Sequence, residues 1–220
     1  MEAVGRVGGV LADPRGIELA AAVTGPWTPH QAAAGRAVAC GSQGPQAPDR
    51  DEDRRSGDTG LTGYTQLVED AARPVPVRFA AALMLRSRSA AQFRRTRPRA
   101  VAEVLAAALQ RDLVGHAYPW GRLWAGGDPL GLLGSMVVEL GRPAIPPLVA
   151  LLDDAAPRDT YLGSDEATEI AMRQYRVKDF AAFYLARIAG VALPWQPELA
   201  GRDQAIAHLR QQLTAASAVP

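Results

Sequence analysis

The densest chemistry in the chain is basic. Between Ala71 and Ala102 there is no acidic residue, yet the stretch carries Arg73, Arg78, Arg86, Arg88, Arg94, Arg95, Arg97 and Arg99. The last six fall in RSRSAAQFRRTRPR, Arg86 to Arg99. Guanidinium groups at this density can hold a nucleic acid or another polyanion through charge and bidentate bonds to phosphate, with Phe93 as a stacking surface. The plainer alternative is a solvated loop between helices in an arginine-biased chain, where Lys178 is the only lysine. A second cluster is aromatic. HAYPWGRLW, His116 to Trp124, brings Tyr118, Trp120 and Trp124 close together. Large rings of this kind anchor protein partners when exposed. They fold back onto a core when it is close, here beside Pro119 and Pro129.

A third cluster is acidic: Asp153, Asp154, Asp159, Asp165, Glu166 and Glu169, with Thr160 and Tyr161 among them. Carboxylates bind divalent ions or do acid–base work, but the regular spacing of a calcium loop is missing. Helix capping and a solubilising edge are the plainer explanation of these residues. Tyr161 joins Tyr118, Trp120 and Trp124 as a partner-binding candidate, with both segments expected at exposed edges. His30, His116 and His208 are too far apart to form a metal-binding motif. Cys40 is the only cysteine, so neither an intrachain disulfide nor a cysteine metal cage can form. The glycines of GRVGGV follow no strand and do not read as a phosphate loop. No catalytic, cofactor or metal site is expected.

Bulk properties agree with a folded chain that is not specialised by charge. It has 220 residues, 48% of them hydrophobic, and a formal net charge of +1. That balance exerts no global pull on nucleic acid or acidic membrane. The run VGGVLA is cut off by Asp13 before it reaches the length of a signal-peptide core. No apolar run approaches the about 18 residues of a membrane span. The cytoplasm is the expected location.

Two regions differ in composition. Residues 1–60 read as a flexible low-complexity tail. CGSQGPQAPDRDEDRRSGDTG has too few apolar residues to offset its ordering entropy. Within the tail, RGIELAAAV is a possible short helix ended by Pro26 and Pro29. From residue 61 to 215 helical periodicity recurs. Helices are expected over Tyr64–Ala72, Val75–Ser87, Pro98–Leu113, Asp128–Gly141, Ser164–Gln174, Tyr175–Gly190 and Arg202–Leu213. Asp128 is the expected N-cap of the fourth, with Pro129 opening its first turn. Gly131 and Gly134 weaken that helix but admit a close neighbour. In ELGRPAIPPLVALLDD, Gly141 closes one helix and Pro143 opens another within a few residues. No stretch alternates with the period of a strand.

Two of these segments share a pattern. VRFAAALML, Val77 to Leu85, and VKDFAAFYL, Val177 to Leu185, each have a β-branched start, a basic second residue, paired alanines and a final leucine. Paired alanines suit a helix approached by backbone on two sides. These residues resemble the HEAT-repeat family. Its unit pairs two helices around a turn, with a second helix of the form VRxxAAxxLxxIG leading to PxAxPxLxxLLxD. The likeness covers about 61–215 and is strongest in the last hundred residues. It implies an all-α fold: a short, irregular solenoid of roughly three or four helix hairpins. One departure is the insertion between Asp153 and Arg176, which breaks the short connection that supports the family's Asp-to-Arg hydrogen-bond ladder. The implied function is a non-catalytic protein-interaction or scaffold module. Nucleic-acid binding through Arg86–Arg99 is the alternative. HEAT-like DNA glycosylases and chromophore lyases extend the comparison only at the level of fold.

Overall fold

The computed structural model describes residues 50–114, 118–124, 129–158 and 172–217. Every regular element among them is helical: α1 (Arg50–Glu69), α2 (Val75–Arg88), α3 (Ala90–Arg95), α4 (Pro98–Gln110), α5 (Gly131–Leu140), α6 (Ile145–Val149), α7 (Val177–Ala189) and α8 (Leu199–Ser217). Short 3-10 turns cover Tyr118–Trp120 and Arg142–Ala144. The one β-type contact among the described residues is an isolated bridge between Pro157 and Arg176. No single helix among the described residues is long and apolar enough to cross a membrane.

Some element bounds differ from those the periodicity predicts. α1 begins at Arg50, ahead of the compositional boundary at 60, and stops at Glu69. Asp70 terminates it by accepting from the Ala72 N–H at 2.9 Å and the Arg73 Nε at 3.2 Å. α5 starts at Gly131, after the proline expected to open it. There the chain is held back by the bond from Leu123 N–H to the Pro129 carbonyl, 3.0 Å. The possible helix RGIELAAAV, the Asp128 cap and most of the Ser164–Gln174 helix lie outside the described residues.

Contacts divide the chain into two compact units. The first takes the described residues up to Val104 together with Leu113 and Val114. Here α1, α2 and α3 pack on one another. Tyr64, Leu67 and Val68 of α1 and Val77, Ala80, Ala81 and Met84 of α2 are buried, as the i, i+3, i+4, i+7 spacing requires. Pro74 caps α2 from outside, and Arg78 reaches back to donate its Nε–H to the Val68 carbonyl at 3.0 Å. Ser89 ends α2 and caps α3, its hydroxyl accepting from the Gln92 N–H at 3.1 Å.

The second unit comprises Leu105–Asp112 and the described residues from Tyr118 onward. α7 is its centre and packs against α5, α6 and α8. Being approached from several sides, it buries nearly its whole circumference: Val177, Phe180, Ala181, Ala182, Phe183, Tyr184, Leu185 and Ala186. Each large apolar side chain enclosed this way contributes about 1.5–3 kcal/mol. Gly190 closes the helix in the left-handed conformation, φ 70° and ψ 27°. Gly141 takes φ 63° at the junction of α5 with the next turn, and the chain bends there by 107°. The junction is therefore a sharp corner, with Pro143 inside the 3-10 turn that rounds it.

The insertion is pinched off at its base. Arg158 N–H bonds the Tyr175 carbonyl at 2.8 Å, Val177 N–H the Ala156 carbonyl at 3.0 Å, and Lys178 N–H the Asp154 carbonyl at 2.9 Å. Residues 154–158 and 175–178 thus meet directly.

At Gly134 a neighbour does come close. A Cβ there would lie 2.7 Å from Tyr184 Cε1 and 2.8 Å from its hydroxyl. Alanine would gain about 1 kcal/mol of helix propensity but must displace a buried, hydrogen-bonded ring. We expect Gly134→Ala to lower stability by about 1–2 kcal/mol in urea unfolding, the overpacking cost exceeding the propensity gain.

Candidate functional site

The N-terminus of α7 gathers the strongest electrostatics among the described residues. Arg176 precedes the helix in an extended conformation, and Asp179 occupies the third helical position with no solvent exposure. The Asp179 carboxylate accepts from the Arg176 backbone N–H at 2.9 Å, from Arg176 Nε at 3.1 Å and from Arg176 Nη2 at 2.9 Å. It also accepts from Arg202 Nη1, on α8, at 2.7 Å. Arg202 in turn donates Nη2 to the Arg173 carbonyl at 2.7 Å. Asp203 accepts from Arg176 Nη2 and from Lys178 Nζ, both at 2.9 Å.

Burial alone would lower the Arg176 pKa, but its bonds to Asp179 and Asp203 outweigh that and raise it. For Arg202, burial prevails over the attraction of Asp179, and the pKa falls below the usual value. Burial would lift the Asp203 carboxyl, but Lys178 and Arg176 hold it below the ordinary carboxylate range. Every strong group here is already bonded to another, so the cluster works as a fastener of α7, α8 and residues 173–176.

An aromatic cluster lies against it. Trp195 has the Arg173 and Arg202 guanidinium carbons each 5.1 Å from its ring centre, within cation–π range. Trp124 stacks edge-on to Phe183 at 5.2 Å, tilts against Trp195 at 5.2 Å, and donates its indole N–H to the Leu193 carbonyl at 2.7 Å. Tyr175 is buried, donates its hydroxyl to the Arg122 carbonyl at 3.2 Å, and has its pKa pushed up by that burial. Tyr184 donates its hydroxyl to the Trp120 carbonyl.

These contacts correct the exposed-edge expectation for part of the aromatic loop. Trp120 is fully enclosed, and Trp124 is half-buried with its polar tip engaged. The reason is the nearby glycine pair. Gly121 at φ 96° and Gly131 at φ 61° bring the loop's backbone onto the start of α5, leaving no room for a Cβ at either position. Tyr118 is described only as part of the 3-10 turn, and Tyr161 lies outside the described residues.

Most of the arginine segment is helical, where the plainer alternative expected a loop; only Ser89, Thr96 and Arg97 lie between helices. Its guanidinium groups divide by environment. Arg97 pairs with Glu69 at 3.2 Å and Arg99 with Glu103 at 2.7 Å. Arg86 is half-buried over Phe93, and Arg88 lies 5.9 Å from the Tyr64 ring centre. Arg94 and Arg95 are exposed at the end of α3, while Phe93 is fully buried and cannot stack on a base. His208 is exposed and bonds Gln212 at 3.0 Å. Asp153 pairs with Arg210 at 2.9 Å, and Asp154 accepts from Gln110 at 3.2 Å.

Periodicity alone does not find the Arg176–Asp179–Arg202 group. The one available signal is an acid inside an otherwise apolar helix face, between Val177 and Phe180. Among the described residues no three His, Cys, Asp or Glu side chains stand close enough to hold a metal. No family model, curated protein or solved structure matches the chain.

Removing one partner of a buried ion pair strands the others. Asp179→Ala is expected to cost about 3–5 kcal/mol in urea unfolding, because two guanidinium groups lose the buried carboxylate they share. Asp203 carries a pH signature instead. Its folded carboxyl titrates below the unfolded one, so its contribution is present at neutral pH and fades as pH falls below about 4. The Tm difference between wild type and Asp203→Asn should shrink over that range, and a constant difference would exclude the ionic contribution.

Proposed function

We propose that the chain is a non-catalytic interaction module of the HEAT-like kind, a short irregular solenoid that holds a protein partner. The observation that carries this reading is the shared environment of the two patterned helices. Ala81 and Ala82 of α2, and Ala181 and Ala182 at the equivalent places in α7, all have no solvent exposure. A helix enclosed on its small-residue face is what stacking on two sides requires. The bond from Arg202 to Asp179 supports the reading further, since it joins successive helices as a ladder rung does. The pinched base of the insertion lets the flanking residues connect as though it were absent.

Polyanion binding is a second reading, favoured by the exposed guanidinium groups of Arg94 and Arg95 at the end of α3 in an acid-free stretch.

Capture of partners by the full chain from a native extract of its source, with and without nuclease, separates the two. The module reading expects the same protein retained under both conditions and by Arg94→Gln/Arg95→Gln. Material lost on nuclease treatment, with binding that weakens steeply with salt, moves the second reading ahead. Retention of nothing specific overturns both.

A further inference from the structure

The acid-free stretch of the first unit folds into a basic face built around α3. Ala91, Arg94 and Arg95 are exposed and stand at i, i+3 and i+4, so they share the solvent side of α3, while Phe93 is buried. Arg88 lies just before this face in sequence, and Arg97 and Arg99 just after it, all three exposed. Contacts with α1 fix the order in space. Arg88 stands over the Tyr64 ring, Gln92 Nε2 donates to Thr65 Oγ1 at 3.1 Å, and Arg97 Nη2 donates to the Glu69 carbonyl at 3.0 Å. The segment therefore runs beside the last turns of α1. Both ends of α3 are held: Ser89 caps its start, and the hydroxyl of the buried Thr96 donates to the Gln92 carbonyl at 3.0 Å.

Several anionic ligands need something this face lacks. A single-stranded nucleic acid needs rings for its bases to stack on. Tyr64 and Phe93, the rings beside these arginines, have no solvent exposure. A membrane surface needs an apolar face to insert. The exposed large apolar side chains among the described residues are Leu132, Met172 and Leu199, all in the second unit. An acidic peptide offers carboxylates, which Arg97 and Arg99 already have from Glu69 and Glu103. Both of these pairs are open to solvent, so each contributes little and yields to a denser line of charge. Duplex nucleic acid carries one charge per about 1.7 Å of axis. An extended peptide carries at most one per about 3.3 Å. The six residues of α3 span about 9 Å, enough to face several phosphates at once.

We propose that this face binds the phosphate backbone of double-stranded nucleic acid without reading its sequence. Arg94 and Arg95 make the central phosphate contacts. Arg88, Arg97 and Arg99 extend them, the last two exchanging a glutamate for a phosphate. Base edges are read by elements that project into a groove, whereas α3 is short and lies against α1. The proposal rests on the polyanion reading of this segment and names the polymer.

The test measures the full chain by fluorescence anisotropy against two labelled duplexes of unrelated sequence, each of about 20 base pairs, and against oligo(dT) of equal length. The two duplexes should bind alike within about twofold, and oligo(dT) more weakly. The logarithm of the association constant should fall against log salt with a slope of about −4.5, five contacts at about −0.9 each. Arg94→Gln/Arg95→Gln, with its fold checked by circular dichroism, should weaken both duplexes equally and reduce the slope by about 1.8. Glu103→Gln frees Arg99 and should tighten binding by about two- to fivefold. The proposal is overturned if oligo(dT) binds more tightly than duplex, if one sequence is preferred by more than about tenfold, or if the arginine variant leaves Kd unchanged. Binding of heparin or of phosphatidylserine vesicles through Arg94 and Arg95, without duplex binding, would overturn it and leave the polyanion reading standing. Binding of no polyanion at about 50 mM salt would overturn both.

Discussion

A charge buried without solvent must be answered where it lies, and Asp179 is such a charge. In a low-dielectric interior an unpaired carboxylate costs several kcal/mol, so its position dictates that of its partners. Arg176 supplies three of the bonds and fixes the entry of α7. Arg202 supplies the fourth and thereby sets where α8 crosses that entry. Once Arg202 is placed, its second nitrogen holds the Arg173 carbonyl, and its plane lies over Trp195. Trp195, in the loop before α8, packs against that placement, and Trp124 packs against Trp195.

Around this fastener the second unit is organised by size as much as by polarity. α7 has neighbours on several faces, and glycines admit two close approaches in this unit. Gly134 admits the Tyr184 ring, and Gly121 and Gly131 admit the backbone of the aromatic loop. These contacts turn Trp120 inward and consume the indole N–H of Trp124. The Trp120 ring and the indole N–H of Trp124 are thereby taken up within the fold. On α8, Gln204, His208 and Gln212 stay exposed.

The first unit handles its cations differently. The arginine run is acid-free in sequence, but folding brings Glu69 to Arg97 across the end of α1. Helix periodicity brings Glu103 to Arg99. Arg86 and Arg88 lie over rings, which shields their flat faces. The run is therefore less uniformly basic in space than in sequence, although Arg88, Arg94, Arg95, Arg97 and Arg99 all remain exposed.

Much of the helical architecture was legible in the residues alone, because it depends on local physics. Apolar spacing identified the buried faces of α2 and α7. Gly141 and Gly190 marked helix ends because a positive φ is easiest without a Cβ, and Pro98 opened α4 because a first turn needs no N–H there. Boundaries were less legible at α1 and α5, where Asp70 and a loop contact set the ends. The candidate site was hardly legible. Which way Trp120 faces, which acids answer which arginines, and that Asp179 meets Arg202 from 23 positions away are decided by distances between segments remote in sequence. Composition and periodicity report the cost of burying a residue; only the tertiary structure supplies the partner that makes the burial favourable.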